Sequence, residues 1–378
     1  MKNNPTKLRR AKNEKMISIL LALSTAIVMC MPLCAEEPES GGIRNVFSDN
    51  DISCIQNLLL AWLSTDGPSE NIDSVQVGDK IPAYEYVDSS LATFDSASYY
   101  PVYSDHEILG VLGIHGNKSD PTYSFGSEWA SQIDEYIKSN RSEFCIVVTE
   151  NQLFFKTSDE AELIEEYRFA MPEVNAVADS PSAESILAAQ NSDQTEYYSD
   201  REKYSLAIPP QTRAAYVANI NVGTYKQTRG ECWAAATMLI GKFITKNNAY
   251  TPFAICDKMG IGYDAGGSDQ DIVDALNTCY GVKGTLQGVL TPNQMEPHVS
   301  KQRPGCINWL EVNRRYGHST AFCGYSSDSS ASRYGIRISD SNTGAYKWLY
   351  KNGQPSQKLG FQYTYGGLTY NWKSTITT

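Results

Sequence analysis

The feature that most constrains the fold is an apolar run at residues 232–244 of this 378-residue chain. Its residues are apolar on almost every side of a helix, which predicts a helix buried in the middle of a domain. Gly230 ends the turn before it, so Cys232 lies where the helix begins. A thiol at this position is held by a rigid element rather than by a loop.

The position of Cys232 suits a nucleophilic thiol. A thiol attacks an amide carbonyl as its thiolate, and a free cysteine is mostly protonated at neutral pH. The positive end of a helix dipole and a neighbouring imidazolium both favour the thiolate. Gln227 lies just upstream, where its side-chain N–H and the backbone N–H of Cys232 would form a two-donor oxyanion hole.

The chain offers four histidines as the base for such a thiol. His106 and His115 lie in a separate acidic region, and His298 follows a proline in a polar stretch typical of a surface. His318 begins the apolar run 319–325, which is predicted to be a buried strand. His318 is therefore the candidate base.

A third group is expected to orient the imidazole. The strand after the one that His318 begins ends at Asp340, so adjacent strands would place this carboxylate against the imidazole and fix its tautomer. Asn342 would do the same through its side-chain carbonyl, and Asp340 is the favoured of the two. The acidic Glu231 would oppose thiolate formation at Cys232 unless its side chain points away.

Three segments together resemble the papain-like cysteine peptidases, in particular compact secreted bacterial members of the staphopain-like and bacteriocin-processing-peptidase-like kinds. They are Gln227-Thr-Arg-Gly-Glu-Cys232-Trp-Ala-Ala, Gly317-His-Ser-Thr-Ala-Phe-Cys-Gly-Tyr325 and Ser339-Asp-Ser-Asn-Thr-Gly344. The resemblance covers roughly residues 215–365. It implies that Cys232 is the nucleophile, His318 the base, Asp340 the orienting residue and Gln227 the oxyanion donor. The glutamine precedes the cysteine by five residues here, one fewer than is usual in the family.

The expected fold class is α+β. The resemblance implies a papain-like catalytic domain in which the Cys232 helix packs on an antiparallel sheet. A small α+β domain is expected before it. The sheet is predicted from segments 304–312, 319–326, 334–339, 345–350 and 360–370. The smaller domain is predicted from helices at 50–62 and 126–137, strands at 74–77, 82–87, 99–103 and 108–114, and a hairpin at 145–155.

The sequence predicts four segments along the chain. Residues 1–35 are predicted to be a signal peptide, with a basic start, an apolar stretch and a small-residue cleavage site after Ala35. The alternative is an uncleaved membrane anchor. An acidic N-terminal domain is expected at 36–171, an exposed linker at 172–211 and the peptidase domain at 212–378. Basic residues at which a trypsin-like activator would cut are Arg201, Lys203 and Arg213.

Charge is divided unevenly along the chain. The net charge of the whole is −11, but residues 36–204 total −23 and residues 205–378 total +7. Opposite charges of this size favour association at low salt. The N-terminal domain is therefore predicted to be a propeptide that inhibits the peptidase intramolecularly, although surface acidity that merely maintains solubility would give the same composition.

Beyond the signal region, two cysteines lie in the acidic region and five in the catalytic segment. With Cys232 free, both remaining numbers are even, which would allow one and two disulfides in an oxidising compartment; buried thiols are the alternative. No zinc-ligand spacing, phosphate-binding glycine loop or basic-aromatic nucleic-acid stripe is present in the sequence. We expect no metal, no cofactor, no nucleic-acid partner and no stable membrane association after signal cleavage.

The sequence thus predicts a secreted bacterial thiol protease, made as a zymogen, that hydrolyses protein or peptide substrates. The nearest alternative is another Cys/His hydrolase or transferase, such as a cell-wall amidase or a transglutaminase-like enzyme. A non-catalytic binding module on the same fold is the other.

Overall fold

The computed structural model describes residues 42–68, 72–105, 107–139, 143–169, 180–189, 195–199, 202–209 and 215–378. Residues 42–378 form one compact unit. The predicted signal peptide lies outside the described residues, as do His106, Arg201 and Arg213. We call residues 42–169 the N-terminal region and residues 215–378 the C-terminal region.

The N-terminal region is a mixture of helices and strands. Its helices are α1 (Asp49–Leu63) and α2 (Ala130–Lys138), after a 3-10 turn at Ile43–Asn45. Its strands are β1 (Ser74–Gly78), β2 (Ala83–Val87), β3 (Ser90–Thr93), β4 (Ala97–Ser104), β5 (Glu107–His115), β6 (Thr122–Gly126), β7 (Cys145–Val148), β8 (Gln152–Lys156) and β9 (Ala161–Glu166). Between the two regions lie α3 (Ala183–Ala188) and β10 (Lys203–Ala207).

The C-terminal region places its helices before most of its strands. The helices are α4 (Cys232–Thr245), α5 (Pro252–Met259), α6 (Asp269–Tyr280) and α7 (Pro292–Ser300). The strands are β11 (Ala215–Asn219), β12 (Thr285–Gln287), β13 (Gly305–Glu311), β14 (Gly317–Asp328), β15 (Arg333–Asp340), β16 (Ala345–Asn352), β17 (Gln362–Tyr365) and β18 (Leu368–Thr377). The predicted strand at 360–370 is therefore two strands joined by a turn.

A single sheet of thirteen strands runs through both regions, and its path is β10-β1-β4-β5-β6-β16-β15-β14-β13-β18-β12. Strand β11 pairs with β14, and β17 pairs with β18. The regions meet where β6 pairs antiparallel with β16, with Phe125 opposite Trp348 and Tyr123 opposite Tyr350. A second sheet, β3-β2-β7-β8-β9, belongs to the N-terminal region alone. The α+β class is confirmed, and the two regions that the sequence separates share their main sheet.

The apolar run at 232–244 forms the central helix α4. Every residue from Cys232 to Gly241 is buried. The helix packs against β13 and β14 and against α5 and α6. Gly241 allows the approach to α6, because a Cβ there would lie 2.2 Å from the ring of Tyr280.

Local signals in the sequence place the neighbouring helices. Ser268 and Asp271 form the expected capping box at the start of α6, with the Ser268 N–H donating to the Asp271 carboxylate at 2.7 Å. Gly281 ends that helix in the left-handed conformation, at φ +66°. These caps fix where α6 begins and ends beside the central helix.

The segment predicted as an exposed linker packs on the rest of the unit at three places. Strand β10 pairs with β1, and Tyr198 is buried and bridges to Phe144. Ile186 of α3 is fully buried. Because segment 172–211 is mostly polar, its composition did not indicate that these few apolar residues would be buried.

The described cysteines are free, buried thiols rather than disulfides, which corrects the pairing that their even numbers would allow. Each is held inside a core or paired with a polar group; the Cys54 thiol, for example, donates to Asn352 Oδ1 at 3.2 Å. Among the described residues no helix has the length and apolar character needed to cross a membrane.

Candidate active site

The candidate nucleophile Cys232 is the first residue of α4 and is 2% exposed. It follows Glu231, which occupies the N-cap without a side-chain capping bond. The thiol therefore lies at the positive end of a helix that ten consecutive buried residues anchor. Helix position and burial both follow from the apolar run.

The imidazole of His318 and the carboxylate of Asp340 are brought together by paired strands. His318 lies near the start of β14 and Asp340 ends the neighbouring β15. Their side chains are fully buried, and His318 Nε2 lies 2.9 Å from Asp340 Oδ1. An ionised carboxylate accepts this bond, so Nε2 carries the proton.

The pair favours a charged imidazolium. Burial by itself lowers the pKa of His318, but the hydrogen bond to Asp340 and the neighbouring Cys232 thiol outweigh it and raise that pKa to about 9. Burial alone would likewise raise the pKa of Asp340, and the bond to His318 outweighs it and lowers that pKa. Each partner stabilises the ionised form of the other.

With Nε2 bonded to Asp340, the other ring nitrogen is left for the thiol. His318 Nδ1 is buried and has no hydrogen-bond partner among the described residues. Cys232 lines the same cleft as His318, and the thiol raises the pKa of the imidazole. The thiol, the imidazole and the carboxylate are thus brought together at one site.

Gln227 lies beside this series, but both of its amide hydrogens are occupied. Its Nε2 donates to the backbone carbonyls of Arg168 and Arg229, the latter at 3.1 Å. Its Oε1 accepts from the Ser341 hydroxyl, and its backbone N–H donates to the Ser341 carbonyl at 2.8 Å. These bonds fix the amide at the edge of the site.

Glu231 points away from the thiol. Its carboxylate is fully buried and accepts the backbone N–H groups of Thr228, at 3.0 Å, and Arg229, at 2.8 Å. Tyr225 donates its hydroxyl to the same carboxylate at 3.3 Å. The acid before the cysteine therefore braces the short loop between Gln227 and Cys232.

Asn342 does not contact the imidazole. Its Oδ1 accepts the backbone N–H of Arg168 at 2.9 Å, and its own backbone N–H donates to Asp340 Oδ1 at 2.9 Å. Of the two candidate orienting residues, the structure places Asp340 against His318. The side chain of Asn342 instead accepts a hydrogen bond from a segment of the N-terminal region.

That segment, residues 167–169, crosses the candidate site, and we call it the strap. Asn342 accepts from the Arg168 N–H and Gln227 donates to the Arg168 carbonyl, so both polar groups of one peptide residue are held. The Phe169 ring packs edge-on to His318, with centroids 6.4 Å apart. The strap begins at Tyr167, whose N–H donates to the Asn151 carbonyl at 2.7 Å.

An open cleft lies on Cys232 and His318 and is not lined by the strap. Its volume is about 290 Å³, and Cys232, Trp233, Gly267, Trp309 and His318 contribute to its walls. Space next to the thiol is therefore available to a ligand even with the strap in place.

Sequence reasoning missed the strap residues and Tyr365, whose ring centroid lies 5.1 Å from that of His318. Arg168 and Phe169 follow an exposed strand and carry no motif that indicates a contact so distant along the chain. Tyr365 precedes the turn between β17 and β18, which the sequence predicted as one strand.

Among the described residues, no cluster of three or more His, Cys, Asp or Glu side chains could hold a metal ion. No protein-family model matches this chain, and no curated protein matches it either.

Proposed function

We propose that the protein is a secreted cysteine endopeptidase with a papain-like catalytic region, made as a zymogen. The observation that supports it most is that Cys232, at the start of a buried helix, shares a cleft with His318, which is bonded to Asp340. Gln227 adds an amide N–H donor at the edge of the same site. Secretion rests on the basic and apolar character of residues 1–35.

The proposed reaction has two steps. The Cys232 thiolate attacks the peptide carbonyl carbon, and the oxyanion is stabilised by Gln227. The carbon–nitrogen bond breaks as His318 gives its proton to the leaving amine, which leaves a thioester. Water then attacks the thioester, His318 takes a proton from that water, and the acid product leaves as the thiolate is restored.

A peptide substrate is favoured over a cell-wall or acyl-transfer substrate by the way the strap is held. One peptide N–H and the following carbonyl are bonded at the site, to Asn342 and Gln227. The site therefore already binds a peptide segment through its main-chain groups.

The strap also supports a latent form of the enzyme. It occupies Gln227, so an incoming carbonyl cannot use this donor while Arg168 remains in place. The N-terminal region would then act as an intramolecular inhibitor through three residues rather than through its whole acidic surface.

Cys232→Ala tests the function. Peptide and casein hydrolysis should be lost, while thermal unfolding stays close to that of the wild type. Cys279→Ala, which removes another thiol of the same region, is the control and should retain activity. Full hydrolysis by Cys232→Ala would refute the peptidase. Hydrolysis of purified cell wall but not casein would favour an amidase, and absence of labelling by a thiol-reactive peptide epoxide would favour a non-catalytic module.

Phe169→Ala tests latency. Loss of the ring contacts loosens the strap, so the full-length chain should hydrolyse peptides about tenfold faster, since roughly 1.4 kcal/mol of strap binding corresponds to that factor. Leu163→Ala, which changes an exposed residue of β9, is the matched control. Equal rates for Phe169→Ala and the wild type would contradict a latent form held by the strap.

A further inference from the structure

We propose that the candidate active site selects an aromatic side chain directly after the scissile bond and binds it beside the cleft, in a pocket formed by Tyr316, His318, Tyr365 and Tyr370. We call this pocket the aromatic seat. The proposal rests on the proposed peptidase function and names the substrate class that the site prefers.

The aromatic seat is occupied by a phenylalanine of the same chain. The Phe169 ring centroid lies 5.2 Å from that of Tyr370, 5.9 Å from Tyr316 and 6.0 Å from Tyr365. Tilted and edge-to-face rings at these separations attract each other beyond simple burial of area. The seat thus has the shape and chemistry for one aromatic side chain.

The register of the strap assigns the aromatic seat to the leaving-group side. The carbonyl bonded to Gln227 is that of Arg168, so the next nitrogen along the chain is the Phe169 nitrogen. In the proposed reaction, the group that protonates the nitrogen after the scissile carbonyl is His318, and the Phe169 ring packs on His318. A substrate that followed the strap's path would place its first leaving-side residue in this seat.

The aromatic seat is formed before any substrate binds. Tyr365 and Tyr370 are almost fully buried, and their rings contact each other at 5.5 Å. Antiparallel pairing of β17 with β18 places both of them. A rigid pocket walled mostly by aromatic rings gains affinity from an aromatic or large aliphatic residue, whereas a carboxylate would lose its hydration there.

The test uses the full-length Phe169→Ala chain, in which the aromatic seat is vacant. Four peptides share one sequence with arginine before the scissile bond and differ only in the residue after it: phenylalanine, leucine, alanine or glutamate. We expect kcat/KM for phenylalanine to exceed that for alanine by about tenfold, or about 1.4 kcal/mol, with glutamate lowest.

Adding Tyr316→Ala should reduce the preference for phenylalanine to about threefold, that is, by roughly 0.7 kcal/mol on the same scale. Tyr316 is only half-buried, so the variant should fold, and unfolding curves check this. Tyr216→Ala removes an exposed tyrosine of the same region and should leave the preference unchanged. Equal kcat/KM for phenylalanine and alanine would overturn the seat while leaving a peptidase. Hydrolysis of none of the four peptides would count against the proposed function itself.

Discussion

The N-terminal and C-terminal regions divide charge and chemistry between them. The candidate catalytic residues all belong to the C-terminal region. In five ion pairs between the regions, the acid comes from the N-terminal region and the base from the C-terminal region. They are Asp66–Arg337, Asp120–Lys351, Glu128–Lys347, Glu150–Arg315 and Glu165–Lys226. Acidic side chains of the N-terminal region therefore pair with basic side chains of the C-terminal region where the two regions meet.

Several of these bases are buried. The side chains of Arg337 and Lys347 are 2% and 1% exposed, so each depends on its carboxylate partner. Arg337 Nε donates to Asp66 Oδ2 at 2.8 Å. A buried cation without its partner is strongly destabilising. The N-terminal region thus completes the C-terminal region as well as covering its candidate site.

Two buried histidines, one in each region, differ in the direction in which their pKa is shifted. Burial, together with the Lys347 charge, lowers the pKa of His115 to about 3, and its Nε2 lies 2.7 Å from the Ser124 hydroxyl. His318 is equally buried but has Asp340 as a neighbour, and its pKa is raised to about 9. The neighbouring charge, not burial, decides which histidine is suited to proton transfer.

The largest expected effect comes from separating the regions. Residues 202–378 expressed alone should not unfold cooperatively, because the loss of β6 exposes Trp348 and Tyr350 and leaves Arg337 and Lys347 without carboxylates. Circular dichroism and calorimetry would measure this. Co-expression with residues 42–201 is the control and should restore folding. A C-terminal fragment that unfolds cooperatively by itself would contradict this dependence on the N-terminal region.

Asp340→Asn tests whether the chemistry depends on the C-terminal region alone. Peptide hydrolysis by the strap-loosened Phe169→Ala chain should fall by about 10²–10⁴-fold, since the orienting carboxylate is lost. The charged imidazole of His318 stabilises the folded protein at pH values below the pKa that the residue has in the unfolded chain. This stabilisation is lost as the pH rises through the folded pKa of about 9, where the imidazole loses its proton. The alkaline limb of the rate should therefore lie near pH 9.

Without the carboxylate at position 340, this limb should move to lower pH. Measuring kcat/KM against pH for both chains checks the shift. If the alkaline limb of the rate did not move, a group other than Asp340 would be holding the proton on His318.

The sequence predicted the candidate site better than it predicted the relation between the regions. A continuous apolar run and a glycine before Cys232 located the start of α4, and successive strands located His318 and Asp340, because these signals are local. The pairing of β6 with β16 and the bond from Arg168 to Asn342 join residues more than a hundred positions apart. Strand partners of this separation depend on the final packing of both faces, and no short pattern encodes them.

The smallest expected effect compares a buried pair with an exposed one across the same junction. Asp66→Ala leaves Arg337 buried without its partner, so the free energy of unfolding should fall by about 3 kcal/mol. Glu150→Ala breaks a pair in which the Arg315 side chain is 48% exposed, and the loss should be under about 1 kcal/mol and vanish at high salt. Urea unfolding at two salt concentrations would measure both. Equal losses for the two variants would mean that the junction depends on total charge rather than on its buried pairs.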